Sequence, residues 1–233
     1  MNKKSFFIVL ILFNVITSFS QSGIVSYSTQ QYITENLNTE NDRVKKIADE
    51  LELMTFTLTY NKEGSYYKKE KNLPKHSEYY ARIARVLSGS IEDSFQFLKT
   101  KESFQNVTIA NITYQVDYSY KMKGWKLTEE SKKIDNYTCY KAILVEYNDR
   151  NETYFETVAW YAPEIPVPYG PSGYGGLPGL ILQLQYNATL HTVDKITFNP
   201  KNGVKVPFMK EGEKIDVKKM VYYMRKARKV TED

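Results

Sequence analysis

Cysteine is nearly absent from this 233-residue chain, in which Cys139 stands alone. One thiol closes no internal disulfide, so the fold must be held by packing. Cys139 lies in Tyr137-Thr138-Cys139-Tyr140-Lys141-Ala142-Ile143, a strand-like run that puts it on one face with Ile143 and Val145. A small buried hydrophobe is favoured there over a reactive thiol. Histidine is almost as scarce. His76 and His191 lie far apart without ligand-spaced neighbours, which argues against zinc, and no metal or cofactor is expected. Catalytic signatures are missing as well. A dinucleotide fingerprint from Gly173 would need glycine where Pro178 stands, and a strand-like sequence follows it. There is no Walker-type Gly-Lys-Ser ending. Gly170-Pro171-Ser172-Gly173-Tyr174 misses the nucleophile elbow at its last position. The net charge of +5 falls to about +3 without Lys3 and Lys4, too weak a balance for nucleic-acid binding.

The N-terminus reads as a secretory signal peptide over residues 1–20. Lys3 and Lys4 precede an unbroken apolar run from Phe6 to Phe13, and Ser18 and Ser20 place cleavage before Gln21. The run is shorter than the about 20 residues a membrane-spanning helix needs. No cysteine follows it, against a lipid anchor. Export to the periplasm or cell envelope is expected, with no membrane span after cleavage. Residues 21–233 suit one domain with a sizeable core. Five Asn-x-Thr sequons, at Asn106, Asn111, Asn136, Asn151 and Asn187, read as accidents of composition.

Twenty tyrosines favour a β-rich fold, because tyrosine suits half-buried pleated surfaces. The first strand is expected over 23–33. Val44, Ile47, Ala48 and Leu51 then recur at helical spacing, with Thr39 or Asn41 as the cap. Met54, Phe56, Leu58 and Tyr60 alternate into a hairpin turn at 61–64 and a return strand over 65–69. A second helix is expected over 77–87. Further strands are expected near 94–98, 106–110, 114–120, 124–127, 137–146, 153–161, 180–186 and 192–198. Short turns between them argue an antiparallel meander. At the C-terminus Val217, Met220, Val221 and Met224 form an apolar helical stripe among lysines and arginines. That helix packs its stripe on the sheet, and its basic face could contact an anionic membrane.

Between Trp160-Tyr161 and Leu180 lies a long connection rich in proline and glycine. Pro163, Pro166 and Pro168 hold the chain extended, and Pro171 to Gly176 forms a bend. Leu177-Pro178-Gly179-Leu180 reads as a type II turn. Leu182, Leu184 and Tyr186 then alternate with Ile181, Gln183 and Gln185. Ordered loops of this length are often functional, though a crossover that merely closes one end of a sheet is equally compatible. Glu164, between Ala162-Pro163 and Ile165-Pro166, could be a desolvated acid–base group. A carboxylate that accepts backbone N–H bonds and shapes the loop is favoured.

Gly176-Leu177-Pro178-Gly179-Leu180-Ile181 is the hallmark of the GLPGLI family, which this chain resembles. Trp160-Tyr161, Pro163-Glu164-Ile165-Pro166 and Gly170-Pro171 look like the rest of its signature. The segment from Tyr137 to Ala142 is similar to the family's glycine-tyrosine-x-cysteine segment, with Asn136 in the glycine's place. The resemblance implies an exported protein of Gram-negative bacteria serving outer-membrane transport or envelope maintenance.

The expected fold is α+β: a curved, mostly antiparallel sheet with N-terminal and C-terminal helices, drawn by analogy as an unclosed half-barrel like that of lipoprotein carriers. The leading functional reading is a non-enzymatic envelope protein that holds a lipid-like or peptide-like ligand or an outer-membrane transport partner. Trp160, Tyr161, Glu164, Tyr169 and Tyr174 are its contact candidates. Pro163, Pro166, Gly170, Pro171, Gly175, Gly176, Leu177, Pro178, Gly179 and Leu180 shape the loop. The alternatives are a hydrolase using Glu164 and a purely structural envelope component.

Overall fold

A computed structural model describes residues 22–32, 41–148 and 151–230. The leader, Ile33 and Thr39 lie outside them. The described chain runs β1 (Gly23–Gln31), α1 (Asp42–Glu52), β2 (Thr55–Tyr60), β3 (Ser65–Lys69), α2 (Glu78–Leu87) and β4 (Ser94–Phe97). It continues through β5 (Glu102–Ile109), β6 (Ile112–Asp117), a 3₁₀ turn (Ser119–Met122), β7 (Lys126–Ile134), β8 (Tyr137–Asn148) and β9 (Thr153–Ala162). After the long connection come β10 (Leu180–Tyr186), β11 (Thr189–Phe198), β12 (Glu213–Asp216) and α3 (Val217–Val230).

All twelve strands join one sheet in the order β12-β6-β5-β4-β3-β2-β1-β11-β10-β9-β8-β7. Its ladders are antiparallel except β12 on β6, which is parallel. The sheet bows until β6 and β8, second and eleventh in that order, line one cleft, yet no ladder joins β12 to β7. An unclosed, mostly antiparallel half-barrel is therefore the architecture.

Local chemistry explains most boundaries. Asn41 caps α1, its side-chain oxygen accepting the Arg43 N–H at 2.9 Å. Asn61 closes the β2–β3 turn by accepting from Glu63 and Gly64. On the inner face Val25 and Tyr27 oppose Leu58 and Phe56, and Leu58 opposes Tyr67, all buried. The apolar stripe of α3 packs through Met220 on Val107, Tyr114, Val116 and Ile215.

Three elements differ from the sequence pattern. β7 extends to Ile134, because Lys-Leu-Thr-Glu-Glu-Ser-Lys-Lys-Ile is an edge strand exposed along most of its length and shows no apolar alternation. β12 has four residues and one buried side chain, Ile215, too short for a periodic signal. In β10 a bulge between Ile181 and Gln183 resets the alternation. Ile181 and Leu184 therefore join one cluster, while Leu180 and Leu182 join another.

Candidate functional site

The β9–β10 connection is a plug and not a rim. Residues 170–175 are all buried. The tip crosses the bowed inner face to reach β3 and β4. A buried loop must satisfy its backbone, and this one does so by a series of specific bonds. Ile165 O accepts Leu180 N at 2.9 Å, Tyr169 O accepts Ile181 N at 3.0 Å, and Gly176 N donates to Pro168 O at 2.9 Å. From outside the loop, Gln96 Nε2 donates to Tyr174 O at 2.8 Å and Trp125 Nε1 to Gly175 O at 2.9 Å.

The turn at 177–180 is not type II. Gly179 lacks positive φ, and its N–H bonds Leu177 O at 2.8 Å, a γ-turn centred on Pro178. Gly179 is required for a different reason: a Cβ there would collide with the Ala162 carbonyl. Positive φ falls instead at Ser172, Gly173 and Gly176.

Burial reassigns the aromatic candidates. Tyr161, Tyr169 and Tyr174 are 6%, 2% and 0% exposed, so they anchor the loop in the core and cannot form a contact surface there. Trp160 is half-buried beneath the Lys132 ammonium, 4.2 Å from its ring centre. Glu164 is exposed and accepts the Thr138 N–H at 3.1 Å, tying the loop to the start of β8. The loop-shaping residues divide: Gly170, Pro171, Gly175, Leu177, Gly179 and Leu180 are buried, Pro166 is half-buried, and Pro163, Gly176 and Pro178 reach the surface.

Sequence reasoning missed the groups the plug packs against. Lys121, on the 3₁₀ turn, is 5% exposed. Its ammonium donates to Ser172 O at 3.0 Å and lies 4.7 and 4.5 Å from the ring centres of Tyr118 and Tyr174. Burial pushes its pKa down to about 8, with the Glu146 charge opposing. Glu146, on β8, is 3% exposed. Its Oε1 accepts from Thr157 and, at 2.8 Å, from Tyr174, while Oε2 has no hydrogen bond. The Tyr120 hydroxyl faces this carboxylate; burial and the Glu146 charge raise its pKa.

Farther along the inner face, His191 is fully buried. Its Nε2 bonds Ser88 O at 2.8 Å and its Nδ1 bonds Tyr67 Oη at 3.1 Å. Burial pushes it down to about 4, so it is neutral, donates from Nε2 and accepts at Nδ1. Tyr67, His191, Ser88, Ser90, Ser172, Lys121, Tyr174 and Glu146 thus form one polar chain through the core.

This chain ends at an opening. Where the sheet fails to close, a cleft of about 490 Å³ lies between Tyr120, residues 145–147 of β8 and the β12–α3 junction. A further hollow of about 270 Å³ shares Tyr120, Tyr147 and Val217 with it and reaches Lys121. Glu146 had a readable signal: alternation along β8 sets it on the face of Ala142 and Leu144, where a carboxylate is out of place. Lys121 had none, since it lies beyond the end of β6 in an irregular segment. Among the described residues no group of three or more His, Cys, Asp or Glu could hold a metal ion.

Residues 148–183 match the model of a family described as "Protein of unknown function (Porph_ging)". No curated protein matches the chain. The chain is similar in fold to two crystal forms of PNGF-II. The C2 form has TM-score 0.54 and 16% identity and the P21 form TM-score 0.55 and 17% identity. Each comparison covers 89% of this chain, which spans only 33% and 34% of those chains. A DUF1329 family protein from Desulfovibrio piger aligns over 84% of this chain and 92% of its own at 9% identity and TM-score 0.21, which carries no argument.

Proposed function

We propose that this chain is a non-enzymatic binding module of the cell envelope that takes its ligand in the seam cleft. The β9–β10 loop then serves as scaffold. One observation carries the reading: the inner face is filled by the chain's own loop, whereas the seam leaves an open cleft with tyrosine and valine walls and one buried carboxylate. Apolar concavities with a few placed polar groups are the usual form of binding sites. A lipid-like or peptide-like ligand, or a segment of an outer-membrane transport partner, fits a cleft of that character.

The envelope setting rests on the leader-like N-terminus and on the GLPGLI hexapeptide, which lies inside the matched segment 148–183. Among the described residues no helix is long and apolar enough to cross a membrane. The exposed Lys218, Lys219 and Lys226 on α3 suit a peripheral contact with anionic lipid. That PNGF-II carries a similar fold as about a third of its length supports an accessory role over a self-sufficient one. An exposed Glu164 engaged by a backbone N–H is poorly placed for the hydrolase alternative.

The test is native mass spectrometry of the full chain purified from its own envelope, beside Val145→Trp. Val145 is 61% exposed on the cleft wall, so tryptophan there fills the cleft without entering the core. A bound mass on the wild type that the variant lacks is the expected result. No bound mass on either, or the same mass on both, removes the cleft as the site.

A further inference from the structure

The cleft is lined by consecutive residues on both sides, 145–147 of β8 and 216–218 at the β12–α3 junction. Successive side chains of a strand point to opposite faces, so a wall that includes both Val145 and Glu146 is the edge of β8 and not either face. That edge is open. The β7–β8 ladder ends at Lys126 opposite Ile143, so from Leu144 to Glu146 β8 continues past its partner. Across the gap, β12 pairs only with β6 and is the sheet's other edge.

Charge is uneven in this seam. Asp117 and Asp216 lie directly opposite each other in the parallel β6–β12 ladder, and both line the cleft with Glu146. Lys218 is the one cation lining it among the described residues. The aspartates each spend one oxygen on a backbone N–H, Asp117 on Ser119 and Asp216 on Lys219, both at 2.7 Å. Glu146 differs from both. It is almost wholly buried, its Oε1 is held by two hydroxyls, and its Oε2 lies at the cleft without a hydrogen bond. Such an atom costs free energy unless a donor arrives. No described cluster of carboxylates could hold a metal ion, so the fitting donor is organic. Tyr120 and Tyr147 beside it offer ring faces to an alkylammonium or guanidinium group.

We infer that the seam binds an extended peptide segment that adds as a strand on the open edge of β8 and presents a lysine or arginine side chain to Glu146 Oε2. Strand addition supplies main-chain hydrogen bonds that any sequence can make, and the inner-face pocket then reads one side chain in two. The basic residue sits cross-strand from Glu146, with Asp117 and Asp216 adding attraction from the far wall. The inference rests on the seam cleft being the ligand site and adds the ligand's class, conformation and charge.

The experiment uses the full chain and blocked short peptides of alternating threonine and valine, identical except for a central lysine, norleucine or glutamate. Calorimetry measures affinity, and hydrogen exchange locates the contact. The lysine peptide should bind about tenfold or more tightly than the norleucine peptide, the usual weight of a charge-assisted hydrogen bond. The glutamate peptide should bind weakest, and the amides of 144–146 should gain protection. Glu146→Gln, which can still accept from Thr157 and Tyr174, should bring the lysine and norleucine peptides to within about twofold. Comparing three peptides on the wild type gives a readout that no folding defect can mimic.

Equal affinity for the three peptides, or protection elsewhere, overturns the inference. If no peptide binds but phospholipid vesicles or a fatty acid do, and Val145→Trp abolishes that binding, the cleft reading stands and the peptide inference falls. If nothing binds and Val145→Trp changes nothing, both fall, and Glu146 Oε2 is satisfied by water alone.

Discussion

The Lys121 ammonium donates to the Ser172 carbonyl at 3.0 Å, so a cation from the β6–β7 connection holds the tip of the β9–β10 loop inside the core. Most buried lysines pair with a carboxylate. Here the stabilising partners are a carbonyl and two tyrosine faces, arrangements that weaken when either side moves.

Burial lowers the Lys121 pKa from 10.5 to about 8. Between those values the unfolded chain holds a proton that the folded chain has lost, so stability rises with pH through that window. Denaturant melts of wild type and Lys121→Met at pH 7 and pH 10 should show the wild type gaining about 2 kcal/mol on the variant. A constant difference between the two proteins would mean that the lysine is solvated.

His191 has the same sign at lower pH. Its folded pKa of about 4 lies below the ordinary 6.5, so stability is full above 6.5 and falls as pH drops toward 4. By pH 4.5 about 2 kcal/mol should be lost relative to a variant without this group. His191→Phe should cost about 2–3 kcal/mol at pH 7 by stranding Ser88 O and Tyr67 Oη, while flattening this acid limb. Urea melts at both pH values check it.

Gly176 combines φ of 78° with a site where a Cβ would strike the Met122 carbonyl. Gly203 has φ of 67°, and a Cβ there would meet nothing within 4 Å. Gly176→Ala should therefore cost about 3 kcal/mol or more, and Gly203→Ala about 1 kcal/mol. Thermal melts of the two variants separate backbone strain from collision. Equal losses would place Gly176 at a loose surface.

Cys139 is fully buried, and burial pushes its thiol up to about 11. A thiol reagent at pH 8 should label it only as fast as the protein opens, and denaturant should accelerate labelling many-fold. Immediate labelling of the native protein would contradict the packing on β8.

Much of the fold was legible because its signals are periodic. The β2–β3 hairpin, both ends of β10, the first two helices and the apolar stripe of α3 all follow from alternation, caps and turn residues. The charged edge strand β7 and the four-residue β12 were not, since neither carries an apolar period. The proline- and glycine-rich stretch announced an ordered loop, but composition does not distinguish a loop that stands out from one that folds in. Tyr169 and Tyr174 were therefore read as a surface, and they are core. The seam was invisible for a related reason. It joins β6, β8 and α3, which meet only because the sheet bows.

Amide hydrogen exchange across the β9–β10 loop tests the central claim most directly. If the loop is core, Gly175, Gly176 and Ile181, whose N–H groups bond Lys121 O, Pro168 O and Tyr169 O, exchange only on global unfolding, as slowly as the central β1 and β2. Exchange of those three amides orders of magnitude faster than β1 and β2 would contradict it, and would return the loop to the surface.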